Sequence, residues 1–139
     1  MSQLDAYLFF DGNCADAMHF YERTLGGKLE ILMKNADSPM AQQMPQGNPD
    51  SILHARMVID GRVLMASDWM TDRPYEGMHG FSLSLTYPAI ADAQRVFDAL
   101  AKGGKVTMPL QKTFWSEAFA MLVDRFGTPW MINGKPASM

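Results

Sequence analysis

Ala15-Asp16-Ala17, an apolar-periodic stretch and Gly26-Gly27-Lys28, then Ala91-Asp92-Ala93, a similar stretch and Gly103-Gly104-Lys105: the chain states one pattern twice. The first triplet recurs 76 residues on and the second 77. A looser echo links Ala55-Arg56-Met57-Val58-Ile59-Asp60-Gly61 to Ala120-Met121-Leu122-Val123-Asp124-Arg125-Phe126-Gly127. A period of about half the chain means two copies of one supersecondary unit, because solenoids need shorter periods and more copies. Two such halves commonly enclose a site.

Bulk properties narrow the classes. At 139 residues and 47% hydrophobic content the chain is expected to form one globular domain. A chain of this size buries roughly two thirds of its extended surface and needs no disulfide or metal staple. Its one cysteine, Cys14, has no internal partner, which fits a reducing compartment and predicts a cytoplasmic location. No N-terminal basic region leads into an apolar run, and no apolar run approaches ~18 residues, so neither a signal peptide nor a membrane span is expected. The net charge of −3 with scattered basic residues argues against a nucleic-acid partner. Thirteen methionines fit either an adaptable core or an adaptable apolar pocket.

Local patterns place the elements. Residues 4–10 are aromatic-rich and end at Asp11-Gly12-Asn13, which reads as a strand and a turn. From Cys14 to Leu25 the apolar residues fall at helical spacing, with Asn13 as the expected N-cap and Gly26-Gly27 as the stop. A strand is expected at 28–34 and a long loop over 35–50, with Met40 and Met44 as its large apolar residues. Ile52–Ile59 and Arg62–Asp68 form a hairpin around Asp60-Gly61. Residues 69–78 read as a polar linker. The second copy follows: a strand at 80–86, a helix from Pro88 to Lys102, and strands at 105–110, 117–124 and 128–133. Each half is β-α-β-β-β, an α+β organisation with a first module of about 1–68 and a second of about 79–139.

Tyr7-Leu8-Phe9-Phe10-Asp11-Gly12-Asn13-Cys14, with Phe20-Tyr21 and Leu25-Gly26-Gly27, resembles the PhnB-like branch of the glyoxalase/bleomycin resistance/dioxygenase (vicinal oxygen chelate) superfamily. So do Ile52-Leu53-His54-Ala55-Arg56, Leu64-Met65-Ala66-Ser67-Asp68, Thr113-Phe114-Trp115 and Asp124-Arg125-Phe126-Gly127-Thr128-Pro129-Trp130-Met131-Ile132-Asn133. The resemblance runs through the whole chain in order. It implies tandem βαβββ modules whose curved mixed sheets surround a concave pocket, commonly completed by a homodimer. Members include metal-dependent isomerases, epimerases, dioxygenases, transferases and metal-free drug-sequestering proteins. Many PhnB-like members carry a demethylubiquinone methyltransferase label, but this sequence has no Gly-rich loop after a strand to support a nucleotide site.

The resemblance also implies where a metal would sit, one His, Glu or Gln early on the first strand and one on the last strand of each module. Such a metal lowers the pKa of bound water or polarises a substrate oxygen. Counting from the matching motifs gives Ala6, Met65, Gly80 and Met131, none of which supplies an imidazole or carboxylate. No cofactor is therefore expected. The alternative is a divalent metal on the displaced residues His54, His79 and Glu117.

Alternation along strands selects the lining. On 52–59 the uniformly apolar set Leu53, Ala55, Met57 and Ile59 should pack under the helix, leaving His54 and Arg56 facing the pocket about 7 Å apart. Arg56 could hold an anionic or oxygen-rich ligand, or could pair with Glu117 or Asp5. Met65 and Ser67 share a face, and Ser82 and Ser84 share another with Gly80. Trp115 either stacks on a ligand ring or plugs a core or interface. Trp69 reads as an interface or lid residue and His19 as solvated. By the same counting Tyr7 falls on the convex side. Cys14 opens a helix, where a thiol pKa can fall, or is an inert packed side chain. Ser67 and Asp68 are strand neighbours facing opposite ways, so they form no dyad.

These readings predict a small-molecule-binding protein without a metal, its ligand contacted by His54, Arg56, Met65, Ser67, Ser82, Trp115 and Met131. The rival is a metal-dependent lyase, isomerase or transferase on a small oxygen-rich substrate, with His54, Arg56 and Glu117 as catalytic candidates. An interaction module without a ligand is a third class. No membrane or nucleic-acid partner is expected.

Overall fold

The repeated Gly-Gly-Lys passages mark where each helix ends and the next strand begins, and the two glycines do different work. Gly26 caps the first helix in the left-handed conformation, at φ 76°, which costs glycine little. The second helix ends instead at an extended Lys102, and Gly103, at φ 75°, sits in the turn that follows, closed by the Gly104 N–H donating to the Ala101 carbonyl at 3.0 Å. Gly27 and Gly104 instead lie against a neighbouring strand. A Cβ on Gly104 would come within 2.4 Å of the Val123 carbonyl oxygen and 2.9 Å of Asp124 Cα. On Gly27 it would meet Ile59 Cγ1 at 2.7 Å and the Val58 oxygen at 2.9 Å.

A computed structural model describes residues 2–37 and 49–137. Most of the loop expected over 35–50 lies outside the described residues, apart from a short 3-10 turn at Asn35–Asp37. The chain divides into two compact units, Met1–Gly77 and Met78–Met139. The first runs β1 (Ala6–Phe10), α1 (Cys14–Leu25), β2 (Lys28–Lys34), β3 (Ile52–Ile59) and β4 (Arg62–Asp68). Its mixed sheet has the order β1-β4-β3-β2, with β1 parallel to β4 and the other neighbours antiparallel. The second unit repeats this with β5 (Leu83–Tyr87), α2 (Ile90–Ala101), β6 (Lys105–Gln111), β7 (Ser116–Val123) and β8 (Pro129–Pro136), in the order β5-β8-β7-β6. The α+β class and the tandem βαβββ order are as the sequence predicts. The bounds of α1, β2 and the β3–β4 hairpin match the expected ones, and Asp60 and Gly61 both take positive φ, as a two-residue hairpin turn requires. The strand expected at 80–86 begins only at Leu83, because Gly80 sits at φ 81°, outside extended geometry.

In the first unit α1 buries Cys14, Ala17, Met18, Phe20 and Tyr21. On the sheet side the buried partners are Leu8 and Phe10 of β1, Ala55 and Met57 of β3, and Leu64 and Ala66 of β4. The Phe10 and Tyr21 rings lie 6.4 Å apart. These residues define the helix face of the sheet. Alternation then places Tyr7, Phe9, His54, Arg56, Met65 and Ser67 on the opposite, open face.

The start of α1 is held differently from the sequence expectation. Asn13 makes no side-chain cap. Asp68, at the end of β4, caps the helix instead: its Oδ1 accepts the Cys14 N–H at 2.9 Å and its Oδ2 the Ile52 N–H at 2.7 Å. In the second unit the residue in the matching register is Gly134, whose missing Cβ leaves room for Ala93 and Ile90 of α2.

The two close-packed glycines should respond unequally to an added methyl. Overpacking costs about 1–3 kcal/mol, and at Gly104 the obstruction is all backbone, whereas at Gly27 the nearest atom belongs to a side chain. Gly104→Ala is therefore expected to lower the urea midpoint more than Gly27→Ala; equal or reversed losses would contradict this packing.

Candidate functional site

The open face of the first sheet is organised in rows by strand register. Tyr7 stands opposite Met65, Met65 opposite Arg56, and Arg56 opposite Ile31. In the next row Phe9 stands opposite Ser67 and His54 opposite Met33. Across the intervening β4, the Tyr7 hydroxyl lies 3.0 Å from His54 Nδ1, and the two rings stack with centroids 5.7 Å apart. The structure thus brings together four of the expected residues, His54, Arg56, Met65 and Ser67, and adds Tyr7 and Phe9.

Tyr7 corrects the sequence reading. Counting from motif spacing puts Ala6 on the open face and Tyr7 on the convex side, but Ala6 shares its face with Leu8 and Phe10 toward the helix. A slip of one residue turns every side chain of a strand to the other face. The strand Ala6-Tyr7-Leu8-Phe9-Phe10 is apolar or aromatic on both faces, so alternation alone does not expose the slip.

Arg56 pairs with neither Glu117 nor Asp5. It is ion-paired and hydrogen-bonded to Glu30. The register of β2 against β3 shifts between Leu29 and Ile31, so Glu30 is the extra residue of a bulge beside Arg56. Its guanidinium charge is therefore matched within the sheet.

The second unit carries its own open face. Ser84 stands opposite Met131, Met131 opposite Met121, and Met121 opposite Met108. Asn133 Nδ2 donates to Ser84 Oγ at 3.4 Å. Trp115 lies edge-on between Phe114 and Phe119, at centroid distances of 4.7 and 5.2 Å. Ser82 is half-buried just ahead of β5, and His79 is exposed. Glu117 faces Lys135 Nζ at 3.8 Å.

The register also revises the positions where a metal of the expected kind would be held. The facing pairs are Tyr7 with Met65 and Ser84 with Met131, in place of Ala6 and Gly80. A phenol, a hydroxyl and two thioethers do not make the imidazole and carboxylate set that Zn²⁺, Mn²⁺ or Ni²⁺ takes, since thioethers suit softer ions. The residues present do not fit such a metal. Among the described residues no group of three or more His, Cys, Asp or Glu side chains is placed to hold one, and His54, His79 and Glu117 fall within that statement.

Burial raises the Tyr7 phenol above its ordinary value, with hydrogen bonding from Ser67 acting in the opposite sense. Tyr7 is therefore a phenol through the neutral range. Cys14 is buried, and burial first and the Asp68 carboxylate second push its thiol far up. That answers the question of its helix-terminal position: the nearby carboxylate and the packing outweigh the helix end, and the thiol is inert.

This arrangement of two βαβββ units matches known proteins over nearly its full length. The chain belongs to the Glyoxalase/Bleomycin resistance protein/Dioxygenase superfamily, whose family model matches residues 3–132. It is 40% identical to Protein YjdN of Escherichia coli (strain K12) over 138 residues, covering 94% of this chain and 93% of that one. The crystal structure of PA1353 from Pseudomonas aeruginosa superposes with a TM-score of 0.89 at 44% identity, covering 97% of this chain and 98% of that one. A PhnB protein from Bacillus cereus shares the fold, with a TM-score of 0.82 at 22% identity and coverage of 96% and 99%. No helix among the described residues is long and apolar enough to cross a membrane.

The Cys14 environment has a measurable pH signature. The folded-state thiol is raised above its ordinary value of 9.0, so the native state holds this proton longer than the unfolded chain does. Stability is full below that value and falls as pH rises through it, by about 1 kcal/mol between pH 9 and 10. Denaturant titrations should show this fall in the wild type and lose it in Cys14→Ala. A thiol reagent should label native Cys14 only as fast as the protein opens; rapid labelling of the folded state would contradict the assignment.

Proposed function

We propose that this protein binds a small organic molecule on the open face of its first sheet, without a metal ion. The observation that supports this most is the contact of Tyr7 Oη with His54 Nδ1, in the rows where metal-using relatives would need metal ligands. The phenol and imidazole orient each other, and Glu30 orients the Arg56 guanidinium. Groups fixed before the ligand arrives need not be ordered by it, which lowers the cost of binding. Met65 and Met33 add flexible, polarizable apolar surface that adapts to a ligand's shape.

The same geometry favours binding over chemistry that needs a cation for an anionic substrate. Arg56 already has a carboxylate partner, and His54 has one ring nitrogen engaged. A ligand here meets hydrogen-bonding groups and apolar surface, with little unmatched charge.

Metal analysis of protein purified without chelators is expected to show no stoichiometric metal. In thermal-shift assays, Ni²⁺, Mn²⁺ and Zn²⁺ should leave the Tm where EDTA leaves it. A metal at 100 times its Kd would stabilise the fold by about 2.7 kcal/mol, a rise of several degrees. Such a rise, or a tightly held equivalent of metal, would overturn the metal-free reading. Small molecules that raise the wild-type Tm should do so far less for His54→Ala.

A further inference from the structure

The hydrogen bonds on the open face of the first unit leave few atoms for a ligand to meet, and those few define its chemistry. Beyond the His54–Tyr7 pair, the rings continue without a break. Tyr7 and Phe9 lie 5.2 Å apart, Phe9 and Trp69 meet edge-on at 5.5 Å, and Trp69 and Tyr75 at 6.1 Å. Four aromatic side chains and an imidazole thus form one wall.

The segment after β4 builds the far end of this wall and fixes it to β1. The Trp69 N–H donates to the Phe10 carbonyl at 2.7 Å, and the Tyr75 hydroxyl donates to the Phe9 carbonyl at 2.7 Å. Trp69 Nε1 donates to the Arg73 carbonyl at 2.8 Å. The polar ends of Tyr7, Trp69 and Tyr75 are therefore spent on the protein itself. Yet Phe9 and Tyr7 remain 44% and 39% exposed. Large exposed rings held in place by internal hydrogen bonds are the informative case, unlike a scattered surface residue.

One polar group of the wall is left. Taking the Tyr7 phenol as the donor in its contact with His54 Nδ1 places the imidazole proton on Nε2. Nε2 has no protein partner among the described residues. It presents an N–H, so the ligand atom meeting it is an acceptor. Charge points the same way at the His54 end of the wall, where Glu30 already balances Arg56; Arg73 belongs to the far end, beside Trp69. The His54 and Phe9 ring centroids lie 5.7 and 5.2 Å from that of Tyr7, so a ring over Tyr7 and Phe9 has His54 within reach of a carbonyl substituent.

We infer that the ligand is a flat, uncharged aromatic molecule whose ring lies on Tyr7 and Phe9 beside Trp69, and whose carbonyl or equivalent acceptor takes the His54 Nε2 proton. This rests on the binding reading above and adds the class of ligand to it.

The test uses three probes of one size, acetophenone, cyclohexyl methyl ketone and benzoate, titrated into isotope-labelled protein and followed by amide and indole NMR signals. Acetophenone should bind about five- to tenfold more tightly than cyclohexyl methyl ketone, the gain expected of aromatic contact beyond area alone. It should move the Trp69 indole signal, and benzoate should bind more weakly than acetophenone. Phe9→Leu should remove the preference for the aromatic ketone, and His54→Phe should weaken acetophenone binding, each with the amide spectrum still dispersed as for a folded protein. Equal binding of the two ketones would overturn the aromatic inference and leave the binding reading standing. Tighter binding of benzoate would overturn the uncharged-acceptor part. Absence of binding by all three at millimolar concentration would overturn both.

Discussion

One carboxylate holds the first unit in register. Asp68 sits at the end of β4, opposite Phe10 of β1, and its two oxygens take the first amide of α1 and the first amide of β3. Two otherwise orphaned, buried N–H groups would cost roughly 1–3 kcal/mol each. Because the carboxylate ties the helix start to the sheet, the β1 residues beside it are committed: Phe10 and Leu8 go under the helix. Tyr7 and Phe9 can then only face the other way, onto Met65, Ser67 and His54. The site is a consequence of how the helix is anchored.

The second unit repeats the architecture without this device. Gly134 stands where Asp68 stands, and Ala93 and Ile90 approach the space a side chain would fill. Duplication has preserved what packing demands: a left-handed glycine in the turn after each helix, the second glycine lying against a strand, and the buried alanines Ala17 and Ala93. Chemistry has diverged between the units. A phenol–imidazole pair and a guanidinium–carboxylate pair occupy the first open face; serine, asparagine and methionines occupy the corresponding rows of the second.

The sequence was most legible where the determinants are local. The helix Cys14–Leu25 carries its own spacing and stop, and Asp60-Gly61 its own turn chemistry, so their bounds could be read directly. The fold class followed from the repeat. What was not legible depends on partners far along the chain. Asn13 satisfies the local rule for a helix cap, but the group that caps the helix is Asp68. Arg56 has acidic candidates on several strands, and the bulge that delivers Glu30 leaves no mark in the pattern Lys28-Leu29-Glu30-Ile31. Spacing misplaces Tyr7 because β1 is apolar on both sides, and a parity slip of one residue hides the most informative side chain. His54 with Arg56, and Met65 with Ser67, show their shared faces in the sequence because their own strands alternate more clearly.

The site depends on which partner donates in the Tyr7–His54 contact: a Tyr7 O–H donated to Nδ1 leaves the imidazole proton on Nε2. Long-range ¹H–¹⁵N correlation of the His54 ring, at a pH where the imidazole is neutral, measures this directly. The expected result is an unprotonated Nδ1 and a protonated Nε2, with the preference relaxing toward a mixture in Tyr7→Phe. A proton on Nδ1, or a tautomer balance that Tyr7→Phe leaves unchanged, would contradict it.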